Sequence, residues 1–154
     1  MFDIVLYRPE IPPNTGNIMR LCANTGCTLH LVHPLGFDLD NTKLRRAGLD
    51  YRDWADVREH PSLEEFVEAT SPGRLIAFTR DGDGRYTDPA YRKGDALLFG
   101  PESDGLPDDV LASPLVDQRL RIPMLPRSRS LNLSNAVAIV VFEAWKSQGF
   151  PGAL

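Results

Sequence analysis

Apolar and polar positions along this chain change period block by block, and the changes mark where strands give way to helices. Asp3–Tyr7 is a short run of strand-forming residues, and Pro9-Glu10-Ile11-Pro12-Pro13 stops it, because proline neither donates to a ladder nor continues a helix. That predicts a strand and then a rigid loop. From Asn14, read as a capping residue, Ile18, Leu21, Cys22 and Thr25 follow the i, i+3, i+4, i+7 rule of one helix face, with Gly26 as the stop. Asn17, Arg20 and Asn24 fall on a different face of the same helix.

Thr28–Val32 predicts a second strand, residues 41–47 a short helix closed by Gly48, and residues 51–57 a third strand. Ser62-Leu63-Glu64-Glu65 has the form of a capping box, and Leu63, Phe66 and Val67 put an apolar stripe on the helix it opens. Residues 74–79 and 96–99 look like buried strands separated by a polar, glycine-rich loop at 81–94. Pro107 suits the first turn of a helix running to Ala112, residues 118–122 form another strand, and Asn132 or Ser134 caps a last helix through Ser147. That helix is almost wholly apolar from Ala136 to Phe142, which predicts burial on most sides. Strands alternating with helices imply an α/β fold on a parallel sheet, whose ligands bind at the carboxyl ends of the strands.

Composition narrows the picture. A chain of 154 residues, 42% hydrophobic and 25% charged, fits one globular domain. It has no apolar run of the ~20 residues needed to cross a bilayer and no secretory pattern at its start, so a soluble, cytoplasmic protein without a membrane partner is expected. Two cysteines, Cys22 and Cys27, make no disulfide framework and are expected as packed, reduced thiols. A net charge of -4 argues against gripping nucleic acid over the whole surface. Any RNA contact must therefore be local. Arg119, Arg121, Arg127 and Arg129 occur with no acid between them, and Lys43, Arg45, Arg46 and Arg52 gather around Asp50.

Common cofactor and nucleophile signatures are missing: no G-x-G-x-x-G follows the first strand, and there is neither a G-x-x-x-x-G-K-[ST] nor a G-x-S-x-G. Cys27, His30 and His33 are spaced by three, but side chains alternate along a strand with period two, which sends His30 and His33 to opposite faces and disfavours a metal site. Three polar turns stand out instead, each after a predicted strand: residues 12–17, 99–107 and 122–135. In a parallel sheet they share one edge, where prolines and glycines hold backbone N–H and C=O groups at close range to a ligand. Singly, each could be an ordinary turn.

Together and in this order, Asn14-Thr15-Gly16-Asn17-Ile18-Met19-Arg20, then Phe99-Gly100-Pro101-Glu102 with Gly105-Leu106-Pro107, then Ile122-Pro123-Met124 with Ser128-Arg129-Ser130-Leu131-Asn132-Leu133-Ser134-Asn135-Ala136, resemble the three motifs of the SPOUT methyltransferases, the TrmH/SpoU superfamily. More narrowly, residues 7–17 and Leu44-Arg45-Arg46-Ala47-Gly48-Leu49-Asp50-Tyr51 resemble the small TrmL type, which methylates a tRNA wobble nucleotide.

The resemblance covers essentially the whole chain. It implies a mostly parallel sheet flanked by helices with a C-terminal deep trefoil knot, one domain over residues 1–154 and an obligate homodimer. The implied reaction is 2′-O-methylation of the wobble ribose, on cytidine or carboxymethylaminomethyluridine, in a tRNA anticodon loop. S-adenosyl-L-methionine is the implied cofactor, S-adenosyl-L-homocysteine the product, and no metal is needed. The alternatives are a relative acting on rRNA or another tRNA position, and a non-catalytic module that binds the cofactor or RNA.

By position, the resemblance assigns the cofactor to Phe78, Thr79, Gly100, Glu102, Ile122, Met124, Ser130, Leu131 and Asn132. It implies Arg20 and Asn14 as catalytic residues, Asn17 towards RNA or the other subunit, and Lys43, Arg45, Arg46, Arg127 and Arg129 as RNA contacts. The family's arginine is described as a general base. Because a guanidinium stays protonated in proteins, Arg20 is read here as a positive group that stabilises the developing alkoxide or holds the adjacent phosphate.

Overall fold

The computed structural model describes residues 1–40, 42, 55–128 and 130–154. Among them, seven strands form one parallel sheet: β1 (Asp3–Tyr7), β2 (Thr28–Val32), β3 (Val57–His60), β4 (Arg74–Phe78), β5 (Gly84–Arg85), β6 (Asp95–Phe99) and β7 (Gln118–Arg121), in the order β3-β2-β1-β6-β4-β7-β5. Four helices accompany it: α1 (Pro12–Thr25), α2 (Leu63–Thr70), α3 (Asp108–Leu111) and α4 (Leu133–Ser147).

Alternation along β1 assigns the layers. Ile4 and Leu6 face a core shared with Ile18, Met19 and Cys22 of α1 and Val137, Val140 and Val141 of α4. Val5 and Tyr7 face the opposite core, with Phe66 of α2 and Val110 of α3. Central strands are thus apolar on both faces, as parallel sheets covered by helices require. Chain connections leave β1 and β6 in opposite directions along the sheet, β1 to β2 and β6 to β7, so the crevice between these neighbours is a topological switch point.

Several sequence expectations shift. The first helix starts at Pro12 with Ile11 as its N-cap, so Asn14 lies inside the helix and is not the cap. Pro12 and Pro13 explain the earlier start: the first helical turn needs no intrahelical N–H donors, and proline's fixed φ suits it. The third strand forms at Val57–His60; residues 55 and 56 precede it without strand geometry, and 51–54 lie outside the described residues. Its sequence, Val-Arg-Glu-His, belongs to a sheet edge and takes its register from Leu29 to Val32 of β2, which no local apolar pattern announces. The helix expected at 41–47 lies outside the described residues except for Thr42.

The loop at 81–94 contains the two-residue strand β5, paired to β7. Pro107 is the N-cap of α3 and does not enter its first turn. The N-cap half of the capping box is present, with Ser62 Oγ accepting from the Glu65 N–H at 3.1 Å. Helix α4 is buried along Leu133, Val137, Val140, Val141 and Ala144 only; Ile139 and Phe142, 36% and 45% exposed, face outward, so burial on most sides does not hold in the single chain. No helix of the described residues is long and apolar enough to cross a membrane.

Candidate active site

Three adjacent strands, β6, β4 and β7, end side by side at the carboxyl edge of the sheet. Phe78 and Phe99, paired in register, close β4 and β6 with their rings stacked at 5.0 Å, and Thr79 donates its N–H to the Leu120 carbonyl of β7 at 2.9 Å. Ile122 and Met124 follow β7 directly, both partly exposed. The strand ends therefore bring Phe78, Thr79, Gly100, Ile122 and Met124 to one edge.

The turn after β6 is closed tightly. A Cβ added at Gly100 would lie 2.2 Å from the Leu106 nitrogen and 2.4 Å from the Gly105 carbonyl carbon, so no side chain fits there without moving backbone. The Gly105 N–H donates to the Pro101 carbonyl at 2.9 Å and fixes the turn. The Cβ position at Gly100 is filled by the turn's own backbone, which accounts for a glycine here.

Glu102 links this turn to the loop after β1. Its carboxylate accepts from the Glu10 N–H at 3.0 Å and from the Ile11 N–H, and it lies 3.5 Å from the Asn14 amide nitrogen. Asn14, buried, accepts in turn from the Asn132 amide at 3.1 Å. Asn132 is the N-cap of α4 and accepts from the Ser134 and Asn135 N–H groups at 2.9 and 3.3 Å. One polar chain, Glu102 to Asn14 to Asn132, thus ties together the three polar turns singled out in the sequence. It also satisfies N–H groups at the starts of two helices, which have no intrahelical acceptor.

Asn17 and Arg20 are exposed on one face of α1, one turn apart, while Ile18, Met19 and Cys22 are buried. Arg127, Ser130 and Leu131 are exposed in the loop before α4. Lys43, Arg45, Arg46 and Arg129 lie outside the described residues. The other two arginines of the basic run are turned onto the protein itself: Arg119 donates to the Leu111 carbonyl, and Arg121 to the Gly82 carbonyl at 2.7 Å. Sequence reasoning missed the bridging role of Asn14, although Pro12-Pro13 signalled the earlier helix start that puts it inside α1.

His30 and His33 occupy different environments. Buried His30 places Nε2 2.8 Å from the Asp3 carboxylate and Nδ1 2.8 Å from His60 Nε2; His33 pairs with Glu59 at 2.7 Å. Both cysteines are buried and free, and burial pushes their thiols up.

A fold of this topology carrying this linked three-loop edge defines a class. The model of the SpoU rRNA Methylase family matches residues 1–142, and the chain belongs to that family. Relatives named tRNA (cytidine(34)-2'-O)-methyltransferase are 56% identical in Aeromonas hydrophila and 54% identical in Escherichia coli, covering all of this chain and 99% and 98% of those proteins. A solved structure described as "Structural insights into the 2-OH methylation of C/U34 on tRNA" is 47% identical with a TM-score of 0.91, over 97% of both chains. The SpoU methyltransferase AviRb of Streptomyces viridochromogenes, solved in complex with the cofactor AdoMet, is 27% identical with a TM-score of 0.84; 95% of this chain matches 60% of that one.

Proposed function

We propose that this chain is an S-adenosyl-L-methionine-dependent methyltransferase that modifies the ribose 2′-hydroxyl of the wobble nucleotide, cytidine or carboxymethylaminomethyluridine, in tRNA anticodon loops. The polar chain from Glu102 through Asn14 to Asn132 carries the reading, because it locks the three loops into one site and sets the start of the helix that bears Arg20. Relatives named for C34 methylation that match end to end support the substrate.

S-adenosyl-L-methionine supplies an electrophilic methyl group when bound. Phe78, Thr79, Gly100, Ile122, Met124 and the 130–132 segment would hold it, chiefly through backbone. The protein's remaining tasks are to orient the 2′-oxygen and to ease loss of its proton. Arg20, permanently cationic, stabilises negative charge as it develops on that oxygen or on the adjacent phosphate; the proton passes to that phosphate or to water, not to Arg20. Asn17, one turn away, faces the RNA, and Arg127 and Arg129, with Lys43, Arg45 and Arg46, meet phosphates. No step requires a metal.

The same reading makes the chain one domain with a C-terminal trefoil knot, acting as a homodimer in the cytoplasm. Support for the knot comes from β7 lying between β4 and β5: the chain after β4 passes over β7 so closely that a Cβ on buried Gly82 would lie 2.3 Å from the Leu120 carbonyl carbon. Support for the dimer comes from an exposed apolar patch, in which the Phe142 and Trp145 rings lie tilted at 5.7 Å and Trp145 and Phe150 meet edge to face at 5.4 Å, beside Ile139. Phe142→Asp should yield monomers by sedimentation.

Nucleoside mass spectrometry of unmodified tRNA, incubated with protein and S-adenosyl-L-methionine, tests the reaction. A new 2′-O-methyl group at the wobble nucleotide, reduced by about 10²–10³ in Arg20→Ala, is expected. Methylation of rRNA or of another tRNA position alone overturns the substrate, and cofactor binding without any transfer overturns the enzyme.

A further inference from the structure

A concavity opens at the carboxyl edge of the sheet, among the loops after β1, β2 and β6. It lies at the switch point between β1 and β6, has a volume of about 480 Å³, and is lined by Tyr7, Arg8, Glu10, Leu35, Pro101 and Asp104 among others. None of the residues assigned to the cofactor lines it. Its size falls in the range of small-molecule sites, roughly 300–1,000 Å³. We propose that this pocket is a nucleotide subsite, which seats one further base of the RNA beside the methylated nucleotide and holds that base's phosphate on Arg8. The inference rests on the RNA substrate proposed above.

The walls are preformed. The Arg8 N–H donates to the Val32 carbonyl and the Gly36 N–H to the Pro9 carbonyl, both at 2.9 Å, and Ser103 Oγ donates its one hydrogen to the Glu10 carboxylate, whose oxygens lie at 2.7 and 3.0 Å. Loops after β1, β2 and β6 are therefore pinned to one another around the opening.

Arg8 is held in the left-handed region, φ 52°, a conformation glycine would adopt without steric cost. That exposed residue nevertheless carries a guanidinium, laid 4.9 Å over the Tyr7 ring. Strain retained for a particular side chain points to a task for that side chain. Among the lining residues Arg8 alone is cationic, and its planar fork matches a phosphate. The carboxylates of Glu10 and Asp104 accept hydrogen bonds only, which suits the exocyclic amino group of cytosine, adenine or guanine and does not suit a bare anion. Proline and leucine walls supply the apolar surface a base would cover. A base with its own phosphate satisfies all three features; an anion or an apolar ligand satisfies only one.

Arg8→Gly provides the test, because glycine keeps the backbone conformation while the guanidinium is lost. With purified protein and unmodified tRNA, the thermal midpoint should stay the same or rise, and KM for tRNA should rise about tenfold while kcat changes by less than about twofold. The slope of log affinity against log salt should become shallower by about 0.7, the loss of one single-strand phosphate contact. Asp104→Ala should raise KM without changing that slope, a separation that general loosening of the fold does not produce. An unchanged KM and salt slope in Arg8→Gly overturn the subsite, as does a fall in kcat alone. A wild-type protein that methylates no RNA sinks the underlying reading and the subsite with it, whereas an active wild type with an indifferent Arg8 sinks only the subsite.

Discussion

Removing the Glu102 carboxylate tests the central structural claim, that one side chain holds the three loops in catalytic register. In Glu102→Ala the Glu10 and Ile11 N–H groups lose their acceptor and Asn14 loses a contact that, at 3.5 Å, is already at the limit of a hydrogen bond. Each charge-assisted bond contributes about 1.5–3 kcal/mol. Ile11 is 45% exposed and Glu10 partly so, which lets water replace part of the loss and puts the total near the low end, about 2–3 kcal/mol. For a chain of this size each kcal/mol lowers the melting temperature by about 2–4 °C, so a fall of about 4–12 °C is expected.

The catalytic loss should be larger than the stability loss suggests, because a shift of the α1 start misplaces Arg20, and misplacement of about 1 Å costs about 10²-fold in rate. Glu102→Gln keeps one acceptor oxygen but sets an amide donor against an N–H, so it should recover only part of both losses. Differential scanning calorimetry, steady-state methyl transfer and cofactor titration measure the three quantities. A loss in kcat exceeding the loss in cofactor affinity assigns Glu102 to positioning; the reverse assigns it to cofactor binding. Wild-type melting temperature and kcat in Glu102→Ala would refute the reasoning altogether.

Gly100→Ala should abolish cofactor binding and lower stability together, since its Cβ meets the Gly105–Leu106 backbone at 2.2 to 2.4 Å; a variant binding S-adenosyl-L-methionine normally by calorimetry contradicts the tight turn. His60 has its pKa lowered from 6.5 by burial, then by His30 and Arg58. The unfolded chain therefore takes up the proton first, and His60's contribution to stability is complete above about pH 6.5 and declines as pH falls towards its lower folded value. Thermal unfolding should show that decline, with Asp3, Asp56, Arg58 and Glu65 as the other nearby charges, and His60→Gln should flatten it. Cys22 and Cys27 should resist a thiol reagent at pH 8 until the protein unfolds, because both are buried and their pKa values raised by desolvation. Rapid native labelling would show the packing to be wrong.

Much of this fold is written locally. β1, β2 and α1 follow from periodicity because their apolar residues face two cores and little else competes. The Ser62 cap is likewise a local signal with a local partner, Glu65. What escaped the sequence is set by distant residues. β3 is polar and takes its place from pairing with β2, and β5 is two residues held by β7. Within the site, residue types pointed to the three loops, but the bridge from Glu102 to Asn14 spans 88 positions and that from Asn14 to Asn132 spans 118. No local pattern encodes such pairs. The strain at Arg8 was invisible for a related reason: arginine carries no turn signature, and its φ is imposed by the loops around it.

The charge distribution leads to a last prediction. The chain carries 21 acids against 17 lysines and arginines, and the structure removes two of the arginines that looked available, since Arg119 and Arg121 are spent on carbonyls. On the function proposed above, Arg8, Arg20 and Arg127 contact phosphates; Lys43, Arg45, Arg46 and Arg129 would add to them. Each single-strand contact adds about 0.7 to the magnitude of the salt slope. The first set taken once predicts a slope near -2, and both sets a slope near -5, each an order-of-magnitude figure from that same relation. Fluorescence anisotropy of an anticodon stem-loop across about 50–200 mM salt resolves the two. A slope near -2 means that unpaired bases and shape, more than charge, hold the RNA; a slope near -5 brings the 43–46 segment and Arg129 onto it. A slope much steeper than -5 requires cations beyond these seven, and the arrangement of the RNA proposed here would then be wrong.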